Sequence, residues 1–315
     1  MAHSAALPRP GGPPFLIDGG LETCLIFRYG IGLPSFSSFV LLASDTGTEA
    51  LRAYYRGFLD IAAAHGTGFM LDSPTWRASP DWGAALGYDL DRLGRANRRA
   101  IGLLAELRDE RSGNGPIALN ATIGPRGDGY DPGKLMTPDE ACDYHRWQLA
   151  TLADAGADMA TALTMTNLAE AEGIAAAARE IGIPLAVSFT VETNGRLPTG
   201  MALAEAVARI EDRQGDAVAF YGINCAHPSH FAEVLDDELL RARVGGLRAN
   251  ASRMSHAELD EAAELDDGNV QELAGDYRDL LEALPNLCVL GGCCGTDHRH
   301  VAAIAEACIP KMSVR

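Results

Sequence analysis

The chain has 315 residues, 47% of them hydrophobic, which suits one large α/β core and leaves little for a second domain. Its 26 Lys and Arg stand against 43 Asp and Glu, a formal charge of −17. That balance argues against nucleic acid or anionic membrane as partners and favours small neutral or cationic ligands. No apolar run approaches the roughly 20 residues that span a bilayer.

Residues 1–14 carry four prolines and no continuous apolar stretch, so they read as a flexible tail and not as a signal peptide. From residue 15 to 315 the chain reads as one domain in which short β-rich runs alternate with longer helical stretches. Strands are expected at 15–19, 69–73, 116–123, 158–164, 184–190, 219–225, 244–250 and 287–293. Helices are expected near 46–65, 86–112, 137–155, 167–182, 201–213, 228–242, 268–284 and 297–307. Eight strands, each followed by a helix, give the count of a single closed (β/α)8 TIM barrel, with an open doubly wound sheet as the rival. In the third helix, Thr137, Pro138 and Glu140 supply an N-cap, a first-turn proline and the acid of a capping box. Gly156 closes its end. The acidic run at 257–267 reads as a solvated helix and loop.

In such a barrel, chemistry collects where the strands end and the βα loops begin. The polar residues there are Asp18, Gly19 and Gly20 after strand one, Asp72 and Ser73 after strand two, and Asn120 and Thr122 in strand three. Thr164, then Ser188, Thr190 and Glu192, end strands four and five. Asn224 and Cys225 end strand six, Asn250 strand seven, and Cys293 and Cys294 strand eight.

Seven cysteines, two of them adjacent, fit a reducing compartment, the cytoplasm, better than a disulfide scaffold. Cys225, Cys293 and Cys294 converge if a barrel brings strand ends six and eight together. Adjacent strand residues face opposite ways, so the pair shares one ion only where the backbone turns, and Gly291, Gly292 and Gly295 are expected to give that freedom. Three thiolates make a soft site for Zn²⁺ with a fourth position open. The competing readings are buried packing thiols, a vicinal disulfide, or a structural metal site completed by Cys24, His227 or His298. Cys142, Cys288 and Cys308 read as packing residues.

The chain resembles the homocysteine S-methyltransferase family over about 15–308. The resemblance is carried by Asp18-Gly19-Gly20-Leu21, Gly124-Pro125, Ala155-Gly156-Ala157-Asp158, Asn224-Cys225-Ala226-His227-Pro228 and Gly291-Gly292-Cys293-Cys294-Gly295-Thr296. It implies a zinc held by Cys225, Cys293 and Cys294, an amino-acid substrate at Asp18 and Gly19, and a methyl donor entering at the barrel mouth. The implied partners are a small thiol acceptor, homocysteine first, and a sulfonium or quaternary ammonium donor: S-methylmethionine, S-adenosylmethionine or a betaine. In two places the chain departs from the family pattern. Cys24 stands where the first motif carries glutamate, and Leu163-Thr164 stands where a glutamate-threonine pair would meet the substrate's amino group. Glu192, and after it Asp72, are the expected replacements for that acid. Gly20, Thr164, Asn224 and Asn250 complete the expected substrate contacts. Trp76, Trp82 and Tyr130 are placed to face a cationic donor. Other acceptors, a different thiol or a selenol, and a non-catalytic zinc- or thiol-binding barrel are the alternatives; oligomerisation is left open.

Overall fold

The computed structural model describes residues 6–111, 113 and 115–312. Of the tail expected at 1–14, residues 1–5 lie outside the described residues. Within the rest, Pro8 is buried and Leu7 packs beneath the barrel against Phe15 and its neighbours.

Eight parallel strands close on themselves in sequence order. They are β1 (Phe15–Leu16), β2 (Gly68–Asp72), β3 (Ile117–Ile123), β4 (Met159–Met165), β5 (Leu185–Phe189), β6 (Val218–Asn224), β7 (Val244–Ala249) and β8 (Val289–Gly292). The principal helix after each strand, numbered α1 to α8, is Asp45–His65, Leu90–Glu110, Pro138–Asp154, Leu168–Ile181, Leu203–Gln214, Glu238–Arg243, Val270–Ala283 and His298–Met312. The barrel expected from the alternation of elements is the barrel that forms.

Strand alternation divides the side chains in two. Leu16, Leu71, Leu119, Val187, Tyr221, Leu247 and Leu290 point outward into the main core beneath the helices. Phe15, Ile17, Met70, Ala118, Met159, Ala186, Phe220 and Val289 form a second apolar cluster. One pleat further along the same strand faces stand Asp72, Asn120, Thr161, Ser188 and Arg248, all buried. The barrel is therefore apolar at its base and polar toward its C-terminal mouth.

Several boundaries differ from expectation. The β1 pairing ends at Leu16 because the chain then turns into short helical pieces at Leu21–Thr23, Cys24–Arg28, Pro34–Phe36 and Ser38–Ala43, which the sequence reading left unassigned. The helix expected near 86–112 forms as α2, which starts at Leu90 because the Asp89 side chain caps it by accepting from the Arg92 N–H, and an additional short helix, Pro80–Ala85, precedes it. The helix expected at 228–242 is broken into Pro228–Phe231, a 3-10 turn and α6, since Asp237 starts a fresh helix by capping Leu239 and Leu240. The capping box of α3 forms as read, with Thr137 and Glu140 each accepting from the other's backbone N–H.

Candidate active site

Strands β6 and β8 flank β7, so the barrel delivers Cys225 beside Cys293 and Cys294. The three sulfurs lie within 4.8 Å of one another. In this structure the Cys225 and Cys293 sulfurs are joined as a disulfide across a Cα separation of 5.5 Å, so the pair linked is not the adjacent one. Shared ligation of one metal by all three requires the reduced form. Burial pushes the Cys294 thiol up to about 11, which leaves it protonated at neutral pH unless a cation stands beside it.

The backbone that aims these sulfurs is unusual. Cys225 has φ +52 and Gly295, just past the pair, has φ +80. For Cys225 that left-handed conformation is unfavourable and must be held by its surroundings. Its N–H donates to the Arg248 carbonyl at 3.1 Å, and His256 Nε2 donates to its carbonyl at 2.8 Å. Gly291 and Gly292, expected to supply flexibility, have no positive φ and serve close packing instead. A Cβ on Gly291 would come within 2.7 Å of the Asp18 carbonyl. Likewise a Cβ on Gly20 would come within 2.5 Å of the Cys293 carbonyl.

A ring pair covers the cluster from one side. Tyr130 stacks on His256 at 4.0 Å, and its hydroxyl, kept protonated by burial, donates to Cys294 Sγ at 3.8 Å. Glu192 meets His256 Nδ1 at 3.1 Å from the other side. Its carboxylate is thus engaged away from the cavity, whose wall it does not form. None of the residues considered for a fourth ligand joins the cluster. Cys24 Sγ donates to the Thr296 carbonyl, His227 Nδ1 accepts from the Ser229 N–H, and His298 Nε2 donates to the Tyr54 carbonyl. Among the described residues the cluster has three members only.

These cysteines sit in the wall of a cavity of about 300 Å³ that opens at the barrel mouth. Asp18, Gly20, Asp72, Leu163 and Thr164 also line it. Arg248, a lone base in the otherwise apolar β7, reaches across the barrel to both acids. Its Nη2 donates to Asp18 Oδ1 at 2.5 Å and to the Gly19 carbonyl at 2.8 Å, and its Nη1 donates to Asp72. Asn120 Nδ2 adds a second donor to Asp72 at 2.7 Å. One guanidinium serving two buried carboxylates does not fully offset their lost hydration. Burial raises Asp18 to about 7 and also raises Asp72, with Arg248 opposing in both cases.

Asn224 has a positioning role that its place at a strand end did not reveal. It accepts from the Thr164 N–H at 3.0 Å and donates to Thr164 Oγ1 at 2.8 Å. Thr164 has φ +65, at an irregularity of the β4 to β5 pairing, so Asn224 holds a strained turn beside Cys225. Asn250 is buried behind Tyr130, and neither asparagine lines the cavity. Trp76 and Tyr130 do line it, whereas Trp82 lies under the Arg77 guanidinium at 4.1 Å. Sequence reasoning passed over Arg248, His256 and Glu22. Arg248 carried a usable signal, a single charge inside a run of buried strand residues.

A closed parallel barrel with a polar mouth and three gathered thiols is the frame of a barrel enzyme that handles a soft metal or a thiol. Comparison with known proteins narrows this further. The chain belongs to the homocysteine S-methyltransferase family, whose model matches residues 15–308. It is 27% identical to homocysteine S-methyltransferase 4 of Zea mays and 25% identical to the selenocysteine Se-methyltransferase of Brassica oleracea var. italica. Each match covers 95% of this chain and 90% of the relative. In fold it is similar to the homocysteine methyltransferase MmuM of Escherichia coli. The oxidized form gives a TM-score of 0.75 at 22% identity, covering 93% of this chain and 95% of that one. The metallated form gives 0.72 at 20%, covering 94% and 96%. The protein is a methyltransferase, and its reaction class is methyl transfer to a thiol.

Proposed function

We propose that the protein is a zinc-dependent methyltransferase that moves a methyl group from a sulfonium or quaternary ammonium donor to homocysteine, giving methionine. The observation that carries this reading is the cluster of three cysteine sulfurs in the cavity wall, with no fourth protein ligand among the described residues. A structural zinc site is closed by four protein ligands, whereas a catalytic one keeps a position open. Cys225, Cys293 and Cys294 would hold the ion, which supplies the charge that keeps an acceptor thiol deprotonated at neutral pH. The metallated form named for MmuM is in keeping with this.

The chain's own residues orient the reactants. The Tyr130 hydroxyl stabilises charge on Cys294, and Arg248 fixes Asp18 and Asp72 in the cavity wall. Asp260 lies near the mouth, and Trp76 and Tyr130 line the path, a lining that favours a cationic donor over an anionic one. A selenol acceptor would use the same groups, and the Brassica relative is named for that chemistry. The need for reduced cysteines fits a cytoplasmic location. No helix among the described residues is long and apolar enough to cross a membrane.

Protein purified under reducing conditions is expected to carry close to one zinc per chain. It should form methionine from homocysteine with at least one of S-methylmethionine, S-adenosylmethionine or a betaine. Cys225→Ser, Cys293→Ser and Cys294→Ser should each lose most of the metal and the activity while the barrel stays folded by circular dichroism. A metal-free active enzyme, or full zinc retention in a triple serine variant, would overturn the proposal.

A further inference from the structure

Three acids are built into the inner wall of the cavity: Asp18, Asp72 and Glu22. Two of them share the Arg248 guanidinium. Glu22 has no ion pair among the described residues; its Oε1 accepts from Ser38 Oγ at 2.7 Å. It leaves the short Leu21–Thr23 turn directly after Asp18-Gly19-Gly20, and it lies close enough to Asp18, Arg248 and Cys294 to act on each electrostatically. The other acids of the wall are different in kind. Asp128 is paired with Arg77, and Asp260 is exposed at the rim.

A carboxylate withdrawn from water with no cation in direct contact is unfavourable, and a visiting ammonium lowers that penalty. Leu163, where the resemblance implies an acid, lines the same cavity and offers no charge. We infer that Glu22 is the residue that receives the α-ammonium group of an amino-acid thiol acceptor, its carboxylate standing in for the acid replaced by Leu163. The acceptor class follows: a thiol or selenol carried on an α-amino acid, with the chalcogen toward Cys294 and the ammonium toward Glu22. A carboxylate-bearing thiol without an amine would bring no cation to pair with Glu22. Burial raises the Glu22 carboxyl, while the Ser38 hydroxyl bond and, from beyond ion-pair distance, the Arg248 and Arg77 guanidiniums oppose that rise. An arriving ammonium would favour the ionised form.

The inference rests on the proposed acceptor chemistry, and the test separates the two. Homocysteine and 4-mercaptobutanoate, which is homocysteine without its amino group, are compared as acceptors and by calorimetric binding to the reduced zinc protein. The parent is expected to prefer homocysteine. Glu22→Gln should raise KM and Kd for homocysteine roughly 10- to 100-fold, the scale of one charged hydrogen bond, with kcat much less affected. Its zinc content and melting temperature should match the parent, and its KM for 4-mercaptobutanoate should stay the same or fall, since a negative charge has been removed. Homocysteine kinetics and binding unchanged in Glu22→Gln would overturn the assignment, as would a KM change confined to the methyl donor. A parent protein that neither binds nor methylates homocysteine would instead overturn the proposed function itself.

Discussion

At the scale of single residues, the site is governed by how few charges compensate the buried acids. Arg248 must serve Asp18 and Asp72 together, and desolvation leaves Asp18 with an affinity for protons close to neutrality. An unfolded aspartate titrates near about 3.9. Between there and about 7 the folded chain therefore holds more proton at Asp18 than the unfolded chain does. Stability from this group is fully present below the unfolded value and is lost as pH rises through the folded one. Melting temperatures measured from pH 4 to 8 should accordingly carry a downward contribution with rising pH. Asp18→Asn should flatten it, by an amount on the order of 2 kcal/mol. Asp72 has the same sign and keeps part of the slope. An equally steep decline in Asp18→Asn would show that the proton resides elsewhere.

At the scale of elements, the thiol site depends on strand ends that leave regular β geometry. Thr164 and Cys225 both have positive φ, and they lie at the ends of β4 and β6 on either side of the Asn224 side chain. Asn224→Ala would leave the buried Thr164 N–H without its acceptor and release both turns. The expected loss is about 1–3 kcal/mol, read as a lower melting temperature. Because Cys225 follows directly, zinc should also be held roughly 10-fold less tightly or worse, measurable by competition with a chromophoric chelator. Full zinc affinity in this variant would mean that Cys225 is held by His256 and the β7 backbone alone. The same reasoning explains the tolerance of the first motif for Cys24, whose thiol is buried and bonded to Thr296 outside the cavity wall.

At the scale of the whole molecule, the charge of −17 and the acids at the mouth act in the same direction on a cationic donor. Raising ionic strength from about 0.1 M to about 1 M shortens the screening length from about 10 Å to about 3 Å. The KM for a sulfonium or quaternary ammonium donor should rise several-fold over that range, while kcat changes little. A donor KM independent of salt would leave the acidic surface without a steering role.

The alternation of β-rich and helical runs pointed to an eight-stranded barrel over an open sheet, because strand-length apolar runs and helix caps are local properties of the chain. The three cysteines were legible for a related reason: closure of the barrel places strand ends six and eight on either side of strand seven, and both motifs stand at strand ends. The charge pairing was not legible. Whether Asp72 is free or bound, whether Glu192 faces the cavity or His256, and whether Glu22 has a counterion depend on which side chains meet across the mouth. Those meetings join residues as far apart as Asp18 and Arg248. Sequence order determined where each acid enters the barrel rim. Only the tertiary structure decided which acids are neutralised, because a guanidinium can compensate only the carboxylates its fork reaches.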